Sequence, residues 1–240
     1  MCFDARTSAI TFSVTTLSAI YLYNRGNKTN NKNDKFFSLL VLIIGFMQLI
    51  EYFIWKNQNC NSMNHLFSIL IIVLLTIQPI LCYNWYYYLH KNTTGLSHNL
   101  VLLYSIIFFC YNAYLINWLN QSQLCSKPTK RSCRLNWDSF TKLTNIEPYF
   151  YLWAILYFFP YFSMFFDNYN FNNKDFKKYP LRHLFIPITF FFTILYILKQ
   201  NNDIINYIKN PLIFTKHIDI WGSLWCFSAI FLGIVSILEI

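Results

Sequence analysis

Charge is what this chain lacks. Only 12% of its 240 residues are Asp, Glu, Lys or Arg, against roughly a quarter in an average soluble domain, and this nearly excludes a soluble fold. The net charge of +9 is not gathered into a dense basic domain. Most Lys and Arg flank apolar runs, which points to lipid headgroups and topology and away from nucleic acid. No Walker loop, dinucleotide fingerprint, H-E-x-x-H pair or C-x-x-C pair is present, so the common nucleotide, zinc-protease and dithiol chemistries have no sequence support. The histidines, His65, His90, His98, His183 and His217, are too scattered for a dense metal set. The last apolar run has no Lys, which argues against a retinal Schiff base. The start of the chain lacks the basic region and small-residue cleavage site of a secretory signal, so its first apolar run is expected to persist in the mature protein.

Apolar residues make up 55% of the chain and aromatics 21%. Phe, Tyr, Ile, Asn and Lys are residues of AT-rich codons, so clustered aromatics alone do not identify a ligand site. Seven apolar runs are read as spans of a bilayer core, which takes about twenty helical residues to cross: Ser8 to Tyr23, Phe36 to Trp55, His65 to Tyr88, Leu100 to Leu119, Tyr149 to Phe166, Leu184 to Leu198 and Ile218 to Leu238. The expected fold is all-α, a polytopic seven-transmembrane-helix bundle forming one domain over residues 1–240, without β-sheet. No internal repeat supports an inverted-repeat transporter. Pro79, Pro160 and Pro187 fall inside runs and should kink them.

Seven spans place the termini on opposite faces. The N-terminal face then carries loops 57–64, 120–148 and 199–217, and the other face carries 24–35, 89–98 and 167–182. Among the short loops the second set is richer in Lys and Arg, so the N-terminus is expected outside and the C-terminus in the cytoplasm. The long loop adds Lys127, Lys130, Arg131, Arg134 and Lys142 to the outer face, against that bias. Cys60, Cys125 and Cys133 also fall on the N-terminal face. In an oxidising compartment the simplest disulfide is Cys125 to Cys133; in a reducing one these are free thiols.

Glu51 is the most informative residue, because an ionisable group inside an apolar span costs a few kcal/mol and tends to face the bundle interior. Gln48, Glu51 and Trp55 share one helical face. They form either a polar lining or a structural Glu beside an interfacial Trp. In the last run Trp221, Trp225 and Ser228 share a face, while Gly222, Cys226 and Gly233 form a seam of small residues suited to close helix approach. Topology puts Cys2, Asp4, Glu51, Trp55, His217, Trp225 and Cys226 at one end, and all but His217 enter the candidate set. With Gln48 these make up the ligand-binding candidates; no metal ligands are assigned and no cofactor is specified. Glu51 is expected to approach Trp225, Cys226 and Cys2, and burial should raise its pKa unless Arg6 or another cation reaches it. Gln78, Cys82 and Trp85, and Asn112 with Asn117, add weaker polar positions explained by interhelical hydrogen bonds.

The opening Met1-Cys2-Phe3, the Gln48-x-x-Glu51-x-x-x-Trp55 stripe and Ser223-x-Trp225-Cys226-Phe227 resemble a family of uncharacterised multi-span membrane proteins from bacteria and large DNA viruses. Its members begin Met-Cys-Phe-Ser-Ala, carry Gln-x-x-Glu-Gly-x-x-Trp late in the second span and end with Trp-Cys-Phe-Phe-Ala. Here Asp4 replaces Ser, Tyr52 replaces Gly and Ser228 stands where Phe is usual. The resemblance implies the fold and the cluster but no activity. Three functions follow from the residues: a transporter, channel or small-ligand receptor binding a small molecule or ion at Glu51; a membrane scaffold or remodelling protein in which these contacts are structural; and, least favoured, an intramembrane enzyme using Glu51 as acid or base with Cys2 or Cys226 as nucleophile or soft metal ligand.

Overall fold

The computed structural model describes residues 4–92, 94–128, 135–170 and 231–238. The elements are α1 (Ala5–Thr29), α2 (Lys32–Lys56), α3 (Ser62–His90), α4 (His98–Leu119), β1 (Lys127–Pro128), β2 (Leu135–Asn136), α5 (Asp138–Thr144) and α6 (Glu147–Asn170), followed by a helical segment at 231–238. Helix starts follow local chemistry. The side chains of Asp4, Asn31, Asn61 and Ser97 each accept a hydrogen bond from a first-turn backbone N–H of the helix they precede. Asn30 adopts the left-handed conformation (φ 53°) that lets α1 turn into α2, a region Asn enters more readily than most residues. Each helix therefore extends a few polar residues beyond its apolar run.

The protein is mostly helical, and four described helices are long and apolar enough to cross a membrane: α2, α3, α4 and the 148–167 part of α6. These are four of the seven expected spans. Run 8–23 is helical, but Ser and Thr leave α1 short of the apolarity of the other four. Run 184–198 and most of run 218–238 lie outside the described residues. The hydroxyls of α1 form its buried face, with Ser8, Thr11, Thr15 and Ser18 turned inward. Thr11 Oγ1 donates to the Thr7 carbonyl at 2.8 Å and Thr15 Oγ1 to the Thr11 carbonyl at 3.0 Å, the usual back-bonding of hydroxyls inside a helix. This narrow face lies on α2, where Gly45 has room only for hydrogen because a Cβ would run into the Thr15 side chain. Gly233 is pressed on Ser18 and Val41 in the same way, so the small-residue seam of the last run meets α1 and α2 at its described end.

α3 is the central helix and packs on α2, α4, α5 and α6. Its buried face runs Ile71, Ile72, Leu75, Gln78, Cys82, Tyr83 and Tyr86. The outer surface of α4 is apolar as well as its buried face. On α4, Asn112 is buried while Leu102, Leu103, Ile106, Ile107 and Phe109 are exposed.

The expectation of no β-sheet is corrected. β1 and β2 form a minimal antiparallel ladder pairing Lys127 with Asn136 and Pro128 with Leu135. Together with α5 they make a lid over the end of the bundle where α2 finishes and α3 begins. At the opposite end, Arg25 binds Asp34 through Nε at 2.6 Å and Nη2 at 2.9 Å. It also donates to the carbonyls of Ser236 (2.7 Å) and Ile237 (3.1 Å), which places the finish of segment 231–238 beside the α1–α2 turn.

Candidate functional site

Glu51 lies in the last two turns of α2, 2% exposed, beside Gln48 at 1%. Their i, i+3 spacing puts both on one face, and Gln48 Nε2 donates to Glu51 Oε2 at 2.8 Å. The other carboxylate oxygen, Oε1, accepts from the indole Nε1 of Trp137 at 3.1 Å. Trp137 belongs to the lid, at the N-cap position of α5, and its side chain makes no capping bond to that helix. The site thus joins a bundle carboxylate to a residue from outside the bundle.

The lid is held by a polar knot. Buried Asn64 donates to the carbonyls of Asn57 (2.7 Å) and Ser126 (2.9 Å), and accepts from Ser126 N (2.8 Å) and Ser68 Oγ (3.3 Å), so its full amide capacity is met. Ser126 Oγ lies 2.7 Å from Ser68 Oγ and accepts from Asp138 N at 3.1 Å, while Asp138 Oδ2 accepts from Cys125 N at 2.9 Å. His65 Nδ1 accepts from Leu124 N at 3.0 Å. That bond assigns the ring proton to Nε2, which donates to Asn120 Oδ1 at 3.0 Å. Beneath the knot Leu124, Leu135, Phe140 and Leu143 are buried, and Phe140 meets Trp153 of α6 edge-on at 5.1 Å.

Cys125 is bonded to Cys60, with a Cα separation of 4.9 Å. This overturns the Cys125 to Cys133 pairing. The β1–β2 register, continued outward, sets Cys125 opposite Asp138, and the Asn64–Ser126 bonds hold it against the 57–61 turn, where Cys60 lies. Cys133 is outside the described residues.

Of the candidate set, the structure brings Gln48 and Glu51 together. Trp55 is partly buried, and its Nε1 has no partner among the described residues. Asp4 is exposed and its carboxylate caps α1, accepting from Thr7 N at 2.7 Å. That bond holds its pKa below the ordinary 3.8, and it gives Asp4 a local role in starting the helix. Cys2, Trp225 and Cys226 lie outside the described residues. The weaker polar positions pair across helices: Tyr157 donates to Gln78 Oε1 at 2.7 Å, Trp153 to Asn112 Oδ1 at 2.9 Å, and Trp85 to the Lys35 carbonyl at 3.2 Å. Trp137 was missed. Its sequence signal is an aromatic residue just before Asp138-Ser139-Phe140, a short helix start inside the one long loop.

A buried carboxylate with two N–H donors can hold or release a proton, or exchange the lid indole for a ligand N–H or a small cation. Among the described residues no three His, Cys, Asp or Glu side chains gather closely enough to hold a metal ion. The chain matches no protein-family model, no curated protein and no solved structure.

Proposed function

We propose that this chain is a seven-span membrane protein of the transporter, channel or small-ligand receptor kind, with a small molecule or ion received at Glu51 beneath the lid. Membership of the Met-Cys-Phe family is part of the same proposal. The observation that carries it is the Glu51 carboxylate itself: deep in an apolar bundle, it is bonded on one oxygen by a residue of a separate lid, an arrangement that lid movement would uncover. The apolar outer surface of α4 supports immersion in lipid, since Leu102, Leu103, Ile106, Ile107 and Phe109 stand exposed side by side. The Cys60–Cys125 disulfide supports an oxidising compartment at the lid end, and with it an N-terminus outside and a C-terminus in the cytoplasm.

A second reading, a scaffold in which these bonds only hold helices, is favoured by the fully satisfied Asn64 knot. Glu51→Gln separates the two, because the amide oxygen still accepts from Trp137 and its NH2 can donate to the Gln48 amide oxygen once that amide turns over, while the ability to ionise is lost. In purified protein the variant should melt within a few degrees of the unmutated form but lose the small molecules detected in it by mass spectrometry, together with any stabilisation they confer. A large drop in melting temperature with unchanged bound molecules would instead support the scaffold.

A further inference from the structure

At the end opposite the lid the bundle holds two further buried carboxylates, Asp34, which is paired with Arg25, and Asp167. Asp167 of α6 is 8% exposed and accepts hydrogen bonds from Tyr86 OH (2.8 Å), Thr94 Oγ1 (2.6 Å) and Gly95 N (2.8 Å). Between it and Glu51 the interior is lined by groups able to pass hydrogen bonds. On α3, Gln78, Cys82 and Tyr86 recur every fourth residue and are at most 2% exposed. Facing them on α6 are Tyr157 and Tyr161, each 3% exposed. Tyr157 is bonded to Gln78, whose Nε2 reaches the Ile43 carbonyl of α2 at 3.4 Å. Gln48 follows Ile43 on α2 by about a turn and a half towards the lid.

This chain has two breaks, one between Gln48 and Gln78 and one between Tyr157 and the Tyr86–Asp167 pair. Each break contains a buried polar atom without a partner among the described residues: Gln48 Oε1 at the first and Tyr161 OH at the second. Buried polar groups are nearly always hydrogen-bonded, and buried waters typically bridge those the protein leaves unmet. Two such groups at the two breaks mark where bridging waters would make the chain continuous.

We infer that the bundle conducts protons between Glu51 and Asp167 along bridging waters and the hydroxyls of Tyr157, Tyr161 and Tyr86, with the Gln48 and Gln78 amides orienting those waters and Cys82 lining the path. This deepens the Glu51 reading, on which it rests, by naming the proton as the transported ion. Each transfer forms one bond to hydrogen as another breaks. A proton taken up at Glu51 is matched by one released from Asp167, and no oxidant or second reactant is required.

The test is proton entry into phosphatidylcholine–phosphatidylglycerol vesicles containing the purified protein, a trapped pH-sensitive dye and a potassium diffusion potential set by valinomycin. The unmutated protein should acidify the lumen faster than protein-free vesicles. Tyr161→Phe removes only the unmet hydroxyl and should melt as the unmutated protein does, yet lower the rate about a hundredfold, the loss typical when a positioned proton-transfer group is removed. Tyr86→Phe, which detaches Asp167, and Glu51→Gln should each lower it similarly. Tyr111→Phe, which changes an exposed hydroxyl bonded to the Tyr149 carbonyl, should leave it unchanged. A rate equal to that of protein-free vesicles, or a Tyr161→Phe or Glu51→Gln rate equal to that of the unmutated protein, would overturn the relay. Loss of bound small molecules in Glu51→Gln, with no proton entry in the unmutated protein, would remove the relay while leaving the Glu51 pocket standing.

Discussion

Truncating Arg25 to alanine should lower stability by about 3–5 kcal/mol, the range for removing one member of a buried ion pair. Asp34 is only 2% exposed and Arg25 16%, so the carboxylate would remain in the bundle without its guanidinium. Arg25 also serves two carbonyls of segment 231–238, which the truncation would leave without these donors at the end of a helix. Arg25→Lys should recover only part of the loss, since an ammonium lacks the fork that meets Asp34 and both carbonyls together. Denaturant unfolding in detergent, followed by circular dichroism, measures both variants. A loss below about 1 kcal/mol for alanine, the level of an exposed pair, would mean that Arg25 does not fasten the last segment.

Removal of the disulfide should act at the other end. Cys60→Ser and Cys125→Ser are each expected to cost about 2–4 kcal/mol, the usual worth of a native cross-link. The loss should fall on the lid and spare the helices below. The 57–61 turn would then be joined to the 124–126 segment chiefly through the Asn64 side chain and the bond from Gln123 to the Cys60 carbonyl. Amide exchange should rise across 120–146 while α2 and α3 stay protected in their middles. Uniform loosening of the whole chain would contradict a separate lid.

The bundle was legible where burial and periodicity coincide. Phe36 to Trp55 became α2 and Leu100 to Leu119 became α4 with ends shifted by a few residues, because Asn and Ser caps extend helices past their apolar runs. The Gln48–Glu51 pair was legible because helical spacing alone brings those side chains together. α1 is helical as expected but less apolar than the other runs, because Ser and Thr stand on its buried face, where Thr11 and Thr15 bond to its own backbone. The lid was illegible. Cys125 could reach either of two cysteines, and the choice of Cys60 over the sequence neighbour Cys133 depends on Asn64, a residue 61 positions away from Cys125 with no motif around it. Trp137 is placed by that same docking, so its bond to Glu51 depends on tertiary contacts that no local pattern encodes.

The bond between lid and bundle carries the account, and a double-mutant cycle of Glu51→Ala and Trp137→Phe measures it directly. Unfolding free energies of the two single variants, the double variant and the unmutated protein should give a coupling of about 1.5–3 kcal/mol, the range for a hydrogen bond to a charged group. Effects that add within about 0.5 kcal/mol, as for distant independent sites, would contradict it and leave Glu51 and the lid as unconnected features.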